Sequence, residues 1–314
     1  MNARQKGISA ALGSALFLGL TPVFGKQAML FGFTPLAVVA VRSTLAVLLL
    51  AIFLLLFKRH FFYIYPVGLV GCVLAGIVNG LGSILYYNAL SRLDASVGQL
   101  LYSFYPLFVA LWLFLDSQPL SRMTLLRLTI SVPGIFLLVI NSQTAPDLAG
   151  VGMMIGAAAL YALHLLINQR VLYDAPAPTV TFYTLLAMAV TVVIAFASFK
   201  PELPPADVIW WPLISLGVIT FISRLTLFLG VKHLGGIQTA LLGLGELLIT
   251  VALAITWLGE RLTPVQWIGA LLICANLLLV AYDKIVPKKS KRKGFLSWLN
   301  PRSVHMSDIP LQDQ

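Results

Sequence analysis

The chain has 314 residues, 59% of them hydrophobic and only 10% charged, with a mean hydropathy of +0.94. A soluble domain carries about 25% charged residues, so a water-exposed globular surface cannot be built from this set. A net charge of +10 raises nucleic acid as a partner, but six Lys or Arg fall between Lys284 and Lys293, just after the last apolar segment. Basic residues so placed mark the cytoplasmic end of a membrane protein, and no nucleic-acid partner is expected.

A bilayer core is about 30 Å thick and takes roughly 20 apolar residues per helix. Ten such segments are predicted in chain order: Gly7–Gly25, Pro35–Phe57, Tyr65–Leu90, Ala95–Leu115, Leu125–Ile140, Ala149–Val171, Thr179–Phe199, Val208–Gly230, Gly236–Leu258 and Pro264–Tyr282. Breakers and charges fall between them, at Lys58-Arg59-His60, around Pro146, at Lys200-Pro201-Glu202 and at Gly259-Glu260-Arg261. The runs do not alternate and open sheet edges cannot face lipid, so the spans are helices. The first run follows Arg4 and Lys6, as a signal peptide would, but it is longer than an h-region and is followed by further spans.

Basic residues orient the chain. With the N-terminus inside, the cytoplasmic side holds Arg4, Lys6, Lys58, Arg59, Arg122, Arg127, Arg170, Lys232 and the C-terminal cluster; the other side holds Lys26, Arg92, Lys200 and Arg261. Both termini are therefore expected in the cytoplasm and the protein in the inner or plasma membrane. The tail also offers basic and aromatic residues to anionic lipid, with a disordered tail that fixes topology as the plainer reading.

The two halves echo one another at an offset of 141 residues: Pro35 with Pro176, Leu93 with Leu234, Leu100-Leu101 with Leu241-Leu242. Five helices per half is an odd number, so the second half enters the membrane upside down. The expected fold is an all-α membrane protein of ten transmembrane helices in two inverted five-helix repeats, residues 1–146 and 147–283, with a basic tail over 284–314. Inverted repeats of this kind mark secondary transporters, with the substrate site at the midplane between halves.

Particular residues carry a resemblance. Pro35 with Arg42, the run Tyr86-Tyr87-Asn88-Ala89-Leu90, Gly245-Glu246-Leu247-Leu248 and Leu258-Gly259-Glu260-Arg261-Leu262-Thr263 resemble the drug/metabolite transporter superfamily, specifically its ten-helix EamA-type exporters. That family commonly has Pro after the glutamate of the ninth helix, where Leu247 stands here. The resemblance implies a secondary carrier for small polar metabolites such as amino acids, exporting or exchanging them by alternating access. A membrane-embedded enzyme acting on lipids and a passive channel are the alternatives; no clustered catalytic set supports the enzyme.

Charges within spans cost about 2.5–3.5 kcal/mol each, so Arg42, Arg224 and Glu246 need a reason. Glu246 and Arg224 sit at similar depth, as a substrate or proton site or as a structural ion pair; Arg42, seven residues past Pro35, has the reach to snorkel to the outer surface. Helical spacing groups Asn79, Ser83 and Tyr86; Gln99, Tyr102, Ser103 and Pro106; Tyr161, His164 and Asn168; and Thr239, Glu246 and Thr250. The candidate substrate-binding set is Asn79, Tyr86, Gln99, Tyr102, Tyr105, Tyr161, His164, Arg224 and Glu246. Expected partners are a small-molecule substrate and membrane lipid, with protons as candidate coupling ion. No cofactor or metal is expected: Cys72 and Cys274 are isolated within apolar runs, His164 stands alone, and Gly19 to Lys26 lacks the spacing and hydroxyl of a phosphate loop. Trp210, Trp211, Trp257 and Trp267 are read as interfacial anchors, and Gly76-x-x-x-Gly80 and Gly152-x-x-x-Gly156 as close-packing motifs.

Overall fold

A computed structural model describes residues 3–93, 95–116, 120–139, 147–201, 209–257, 263–279 and 296. Every regular element among them is helical: α1 (Ala3–Leu30), α2 (Pro35–Phe57), a short 3₁₀ turn (Arg59–Phe62), α3 (Pro66–Arg92), α4 (Ala95–Tyr102), α5 (Tyr105–Leu115), α6 (Arg122–Val139), α7 (Leu148–Leu172), α8 (Ala177–Phe199), α9 (Trp211–Leu234), α10 (Gly236–Gly243), α11 (Gly245–Trp257) and α12 (Pro264–Leu278). Prolines start many of them. Pro35, Pro66, Pro106 and Pro212 sit in the first turn, where the missing N–H would have had no intrahelical partner.

Among the described residues α1, α2, α3, α7, α8 and α9 are each long and apolar enough to cross a bilayer alone. The other four crossings are α6, α12 and two broken spans, α4 with α5 and α10 with α11. Continuous helices are predicted over Ala95–Leu115 and Gly236–Leu258; instead each breaks after eight residues, at positions related by the same 141-residue offset. In the first half the cause is Pro106, which has no N–H to give the Tyr102 carbonyl. The chain tightens there, with Phe104 N–H donating to Leu101 O at 3.3 Å and Leu107 N–H to Phe104 O at 3.0 Å. In the second half no proline is present. Glycines at 243 and 245 flank Leu244, and the ladder restarts with Leu247 N–H on Leu244 O at 3.1 Å.

The shared break is the structural counterpart of the sequence echo, and the fold is two inverted five-helix repeats. α1 packs against α9 and α11, α3 against α7 and α8, α2 bridges α8 and α9, and α6 lies on α12. Gly76 makes one close approach possible, because an added Cβ would meet Ala187 Cβ at 2.5 Å and Thr184 O at 2.6 Å on α8. Gly152 in the second predicted motif has nothing near it, and Gly156 only Leu85 at 3.4 Å, so that motif is not a tight contact. Outward faces are apolar, as lipid contact requires: Leu48, Ile52, Leu56, Val190 and Ile194 are all exposed. Trp210 and Trp211 are half-exposed at the start of α9 and lie edge-on to Phe33 and Phe24, and Trp267 is exposed near the start of α12. The side chain of Trp257 and the basic tail, Leu296 apart, lie outside the described residues.

The helix starts and ends define two poles. The one where α1 begins also holds the ends of α2, α5, α7, α9 and α12; Gly7 of α1 faces His233 and Leu234 there. Arg127 and Arg170, counted with the loop charges in the sequence, are fully buried at this pole. Arg127 donates to Asn276 Oδ1 at 3.2 Å and to Gln238, joining α6 to α12 and α10.

Candidate functional site

A cavity lies midway along the helices, between α1, α2, α3, α4, α7, α9 and α11. Leu18 and Thr21 come from α1 and Arg42 from α2. The middle of α3 supplies Asn79, Gly82, Ser83, Tyr86 and Tyr87, which recur at helical spacing along one side. Gln99 and Tyr102 come from α4, Ala157 and Tyr161 from α7, Arg224 from α9 and Glu246 from the first turn of α11. The helix breaks explain the last contribution: α11 starts at mid-depth, so its first-turn side chain stands at the cavity, and a helix N-terminus suits a carboxylate.

Seven of the nine predicted residues line the cavity: Asn79, Tyr86, Gln99, Tyr102, Tyr161, Arg224 and Glu246. Tyr105 and His164 do not. Tyr105 lies behind the wall, its ring 5.7 Å from Tyr102 and 5.0 Å from Tyr161, and its hydroxyl donates to Ala240 O at 3.0 Å. Of the face expected to join Gln99, Tyr102, Ser103 and Pro106, only Gln99 and Tyr102 line the cavity. His164 lies one turn beyond Tyr161, fully buried, with Nδ1 2.6 Å from Tyr161 O and its ring against Tyr161 and Phe228. The face expected to join Thr239, Glu246 and Thr250 is also split: Thr239 bonds Gly235 O, and Thr250 bonds Gly19 O on α1.

Arg42 overturns its expectation. It is buried rather than turned toward the outer surface, donating to Ser83 Oγ at 3.1 Å and Thr220 Oγ1 at 3.3 Å. Its guanidinium carbon stands 4.9 Å from the centre of the Tyr87 ring. Across the cavity Arg224 stands 5.4 Å from the Tyr161 ring. Tyr86 donates to Gln99 Oε1 at 3.2 Å, and Gln99 and Glu246 both face the cavity. Among the described residues no ion pair within 4 Å joins Arg224 to Glu246. Arg42 Nε, Arg224 Nε and Nη1 and Glu246 Oε1 are buried with no protein hydrogen-bond partner. Such groups are rare in native interiors and here face one space.

Tyr87, Thr21, Leu18 and the small Gly82 and Ala157 join the wall without having been picked out in the sequence. Tyr87 lies four residues past Ser83 and eight past Asn79, so the helical spacing that groups those two also reaches it. No polar signal marks Leu18, Gly82 or Ala157.

Two guanidiniums, one carboxylate and four tyrosines line a mid-depth cavity in an inverted-repeat helical fold, the arrangement of a multi-pass membrane transporter for a small molecule. The comparisons with known proteins agree. The model of the EamA-like transporter family matches residues 5–140 and 148–282, one match per repeat, and the chain belongs to that family. It is 26% identical over 235 residues to an uncharacterized transporter of Synechocystis, covering 70% of this chain and 68% of that one. It is 30% identical over 200 residues to a Salmonella typhimurium protein named "Probable amino-acid metabolite efflux pump", covering 59% and 67% of the two chains. A solved crystal structure superposes with a TM-score of 0.73 at 16% identity, over 89% of this chain and 97% of the other, and shares the fold.

Proposed function

We propose that this EamA-family transporter is a secondary carrier that moves small metabolites bearing a carboxylate, amino acids among them, by alternating access around the cavity. The observation that carries this reading is the set of buried, unpartnered atoms on Arg42, Arg224 and Glu246 around a single space. A carboxylate answers the guanidiniums with charge-assisted hydrogen bonds, and an ammonium answers Glu246. The tyrosine walls receive the apolar remainder. The name of the Salmonella relative favours the same class of substrate. Both termini lie on the cytoplasmic side of a cell membrane, and protons are the candidate coupling ion.

The test is counterflow in proteoliposomes. Purified protein, preloaded with an unlabelled amino acid, accumulates the labelled one without ATP, because a carrier needs only differential access to one site. An absolute requirement for ATP, or indifference to every carboxylate-bearing metabolite in the screen, sinks the reading.

A further inference from the structure

The 141-residue offset sets Gln99 against Ala240, Tyr102 against Gly243 and Tyr105 against Glu246. The arrangement across the two breaks follows that pairing. On one side Gln99 of α4 and Glu246 of α11 both line the cavity. On the other side the Tyr105 hydroxyl of α5 donates to the Ala240 carbonyl of α10 at 3.0 Å, and neither residue lines the cavity. The two pairs occupy repeat-related positions, the first lining the cavity and the second in hydrogen-bonded contact.

The closed contact depends on a glycine. A Cβ added at Gly243 would overlap the hydroxyl oxygen of Tyr105. The equivalent position in the first repeat carries Tyr102, whose ring is cavity wall. Tyr105 is 2% exposed and its ring backs onto Tyr102 and Tyr161, so it stands between the cavity and the pole where α1 begins. Beyond it the same pole is sealed by Gly236 N–H on Gln169 Oε1 at 2.6 Å and by Lys232 Nζ on Ala175 O at 2.9 Å.

We propose that Tyr105, seated on Ala240 and the bare backbone of Gly243, is the gate that closes the cavity toward the N-terminal pole. The proposal rests on the alternating-access reading. Inverted repeats reach their second state by exchanging conformations, so α5 and α10 take up the open arrangement that α4 and α11 now hold, while Glu246 closes on Gln99. The Tyr105 contact suits that role. It is one neutral hydrogen bond plus ring packing, firm enough to exclude water and weak enough to break in each cycle. Both partners lie next to a helix break, where a swing of the short segments α4 or α10 costs no hydrogen bond within a continuous helix.

The experiment reads which pole reaches the cavity. In a protein with Cys72 and Cys274 replaced by Ala, cysteine at Ala157, a buried residue of the cavity wall, reports access to a membrane-impermeant thiol reagent. Sealed vesicles of each orientation expose one pole at a time. Without substrate, labelling from the N-terminal pole is slow in the parent and rises about ten-fold or more in Gly243→Ala, while labelling from the opposite pole falls. Tyr105→Phe keeps the ring, loses the hydroxyl and shifts the balance the same way by a few-fold; it carries the test if Gly243→Ala does not insert. Unchanged labelling in well-inserted variants overturns the gate, and so does a rise from both poles, which is loosening rather than gating. Because the readout needs no substrate, a responding gate in a protein that shows no counterflow overturns the transport reading and leaves the gate standing.

Discussion

Asp116 at the end of α5 and Arg170 near the end of α7 form an ion pair in which neither side chain is exposed to solvent. The second Asp116 oxygen accepts the backbone N–H of Leu296 at 3.1 Å, so one carboxylate ties α5, α7 and a buried residue of the C-terminal tail. A buried pair of this kind adds little over a well-packed apolar pair, but breaking it strands a charge. Asp116→Ala is expected to cost about 3–5 kcal/mol and to lower thermal stability in detergent sharply. Asp116→Leu combined with Arg170→Met recovers most of that loss. Equal melting of Asp116→Ala and the parent would show that the pair does not hold this pole.

At the opposite pole Arg92 meets Asp147 at 3.1 Å, and both side chains are largely exposed. Asp147 also caps α7, accepting Ala149 N–H at 3.0 Å. The Arg92 hydrogen bond, and after it the cap, hold the Asp147 carboxyl below its ordinary value. A depressed carboxyl contributes stability that is present above the ordinary value of about 3.9 and is lost as pH falls through the lower, folded value. Melting temperature measured from pH 7 to pH 2.5 is expected to drop more steeply below pH 4 in the parent than in Asp147→Asn. Superimposable acid limbs would remove this pair from the stability of the loop, and high salt is expected to shrink the difference.

Much of this architecture is legible in the sequence, because lipid leaves helices as the only reading of long apolar runs. The two breaks are harder to see. Pro106 signals the first, yet apolar residues run on through it, and the second rests on Gly243 and Gly245 where Leu247 replaces the expected proline. The first break also splits the face expected to join Gln99, Tyr102, Ser103 and Pro106, of which only the first two line the cavity. Arg42 failed for a different reason. Its depth was measured along its own helix, whereas its fate is decided by Ser83 and Thr220, which lie 41 and 178 residues away in sequence. Asn79, Gln99, Tyr161 and Glu246 were legible because polar side chains at mid-depth must face one another rather than lipid.

Orientation has its own test. Cysteine at Lys200, exposed at the end of α8, is expected to react with an impermeant thiol reagent added to intact cells. Cysteine at Arg59, exposed in the turn after α2, is expected to react only after the membrane is opened. The reverse pattern would place both termini outside and would invert every statement about cytoplasmic access.

Glu246 and Arg224 decide between a working site and a structural tether. A tether needs contact, and no ion pair within 4 Å joins them among the described residues; Glu246 lines the cavity and its Oε1 has no protein hydrogen-bond partner. A carboxylate at this depth has to be hydrated, protonated or bound to a cation, and in a carrier the substrate or a proton meets that need in turn. Glu246→Gln keeps size and hydrogen-bonding capacity while removing charge. It is expected to insert and melt like the parent, yet to lose counterflow by ten-fold or more or to lose its dependence on a pH gradient. Arg224→Lys keeps the charge but not the planar fork, and is expected to weaken apparent affinity for carboxylate substrates about 10- to 100-fold, the size of one charged hydrogen bond at about 1.5–3 kcal/mol. A tether predicts otherwise: Glu246→Gln would lower expression and melting temperature, and adding Arg224→Met would restore both. A well-expressed Glu246→Gln protein with parental counterflow and parental pH dependence would remove this residue from transport altogether.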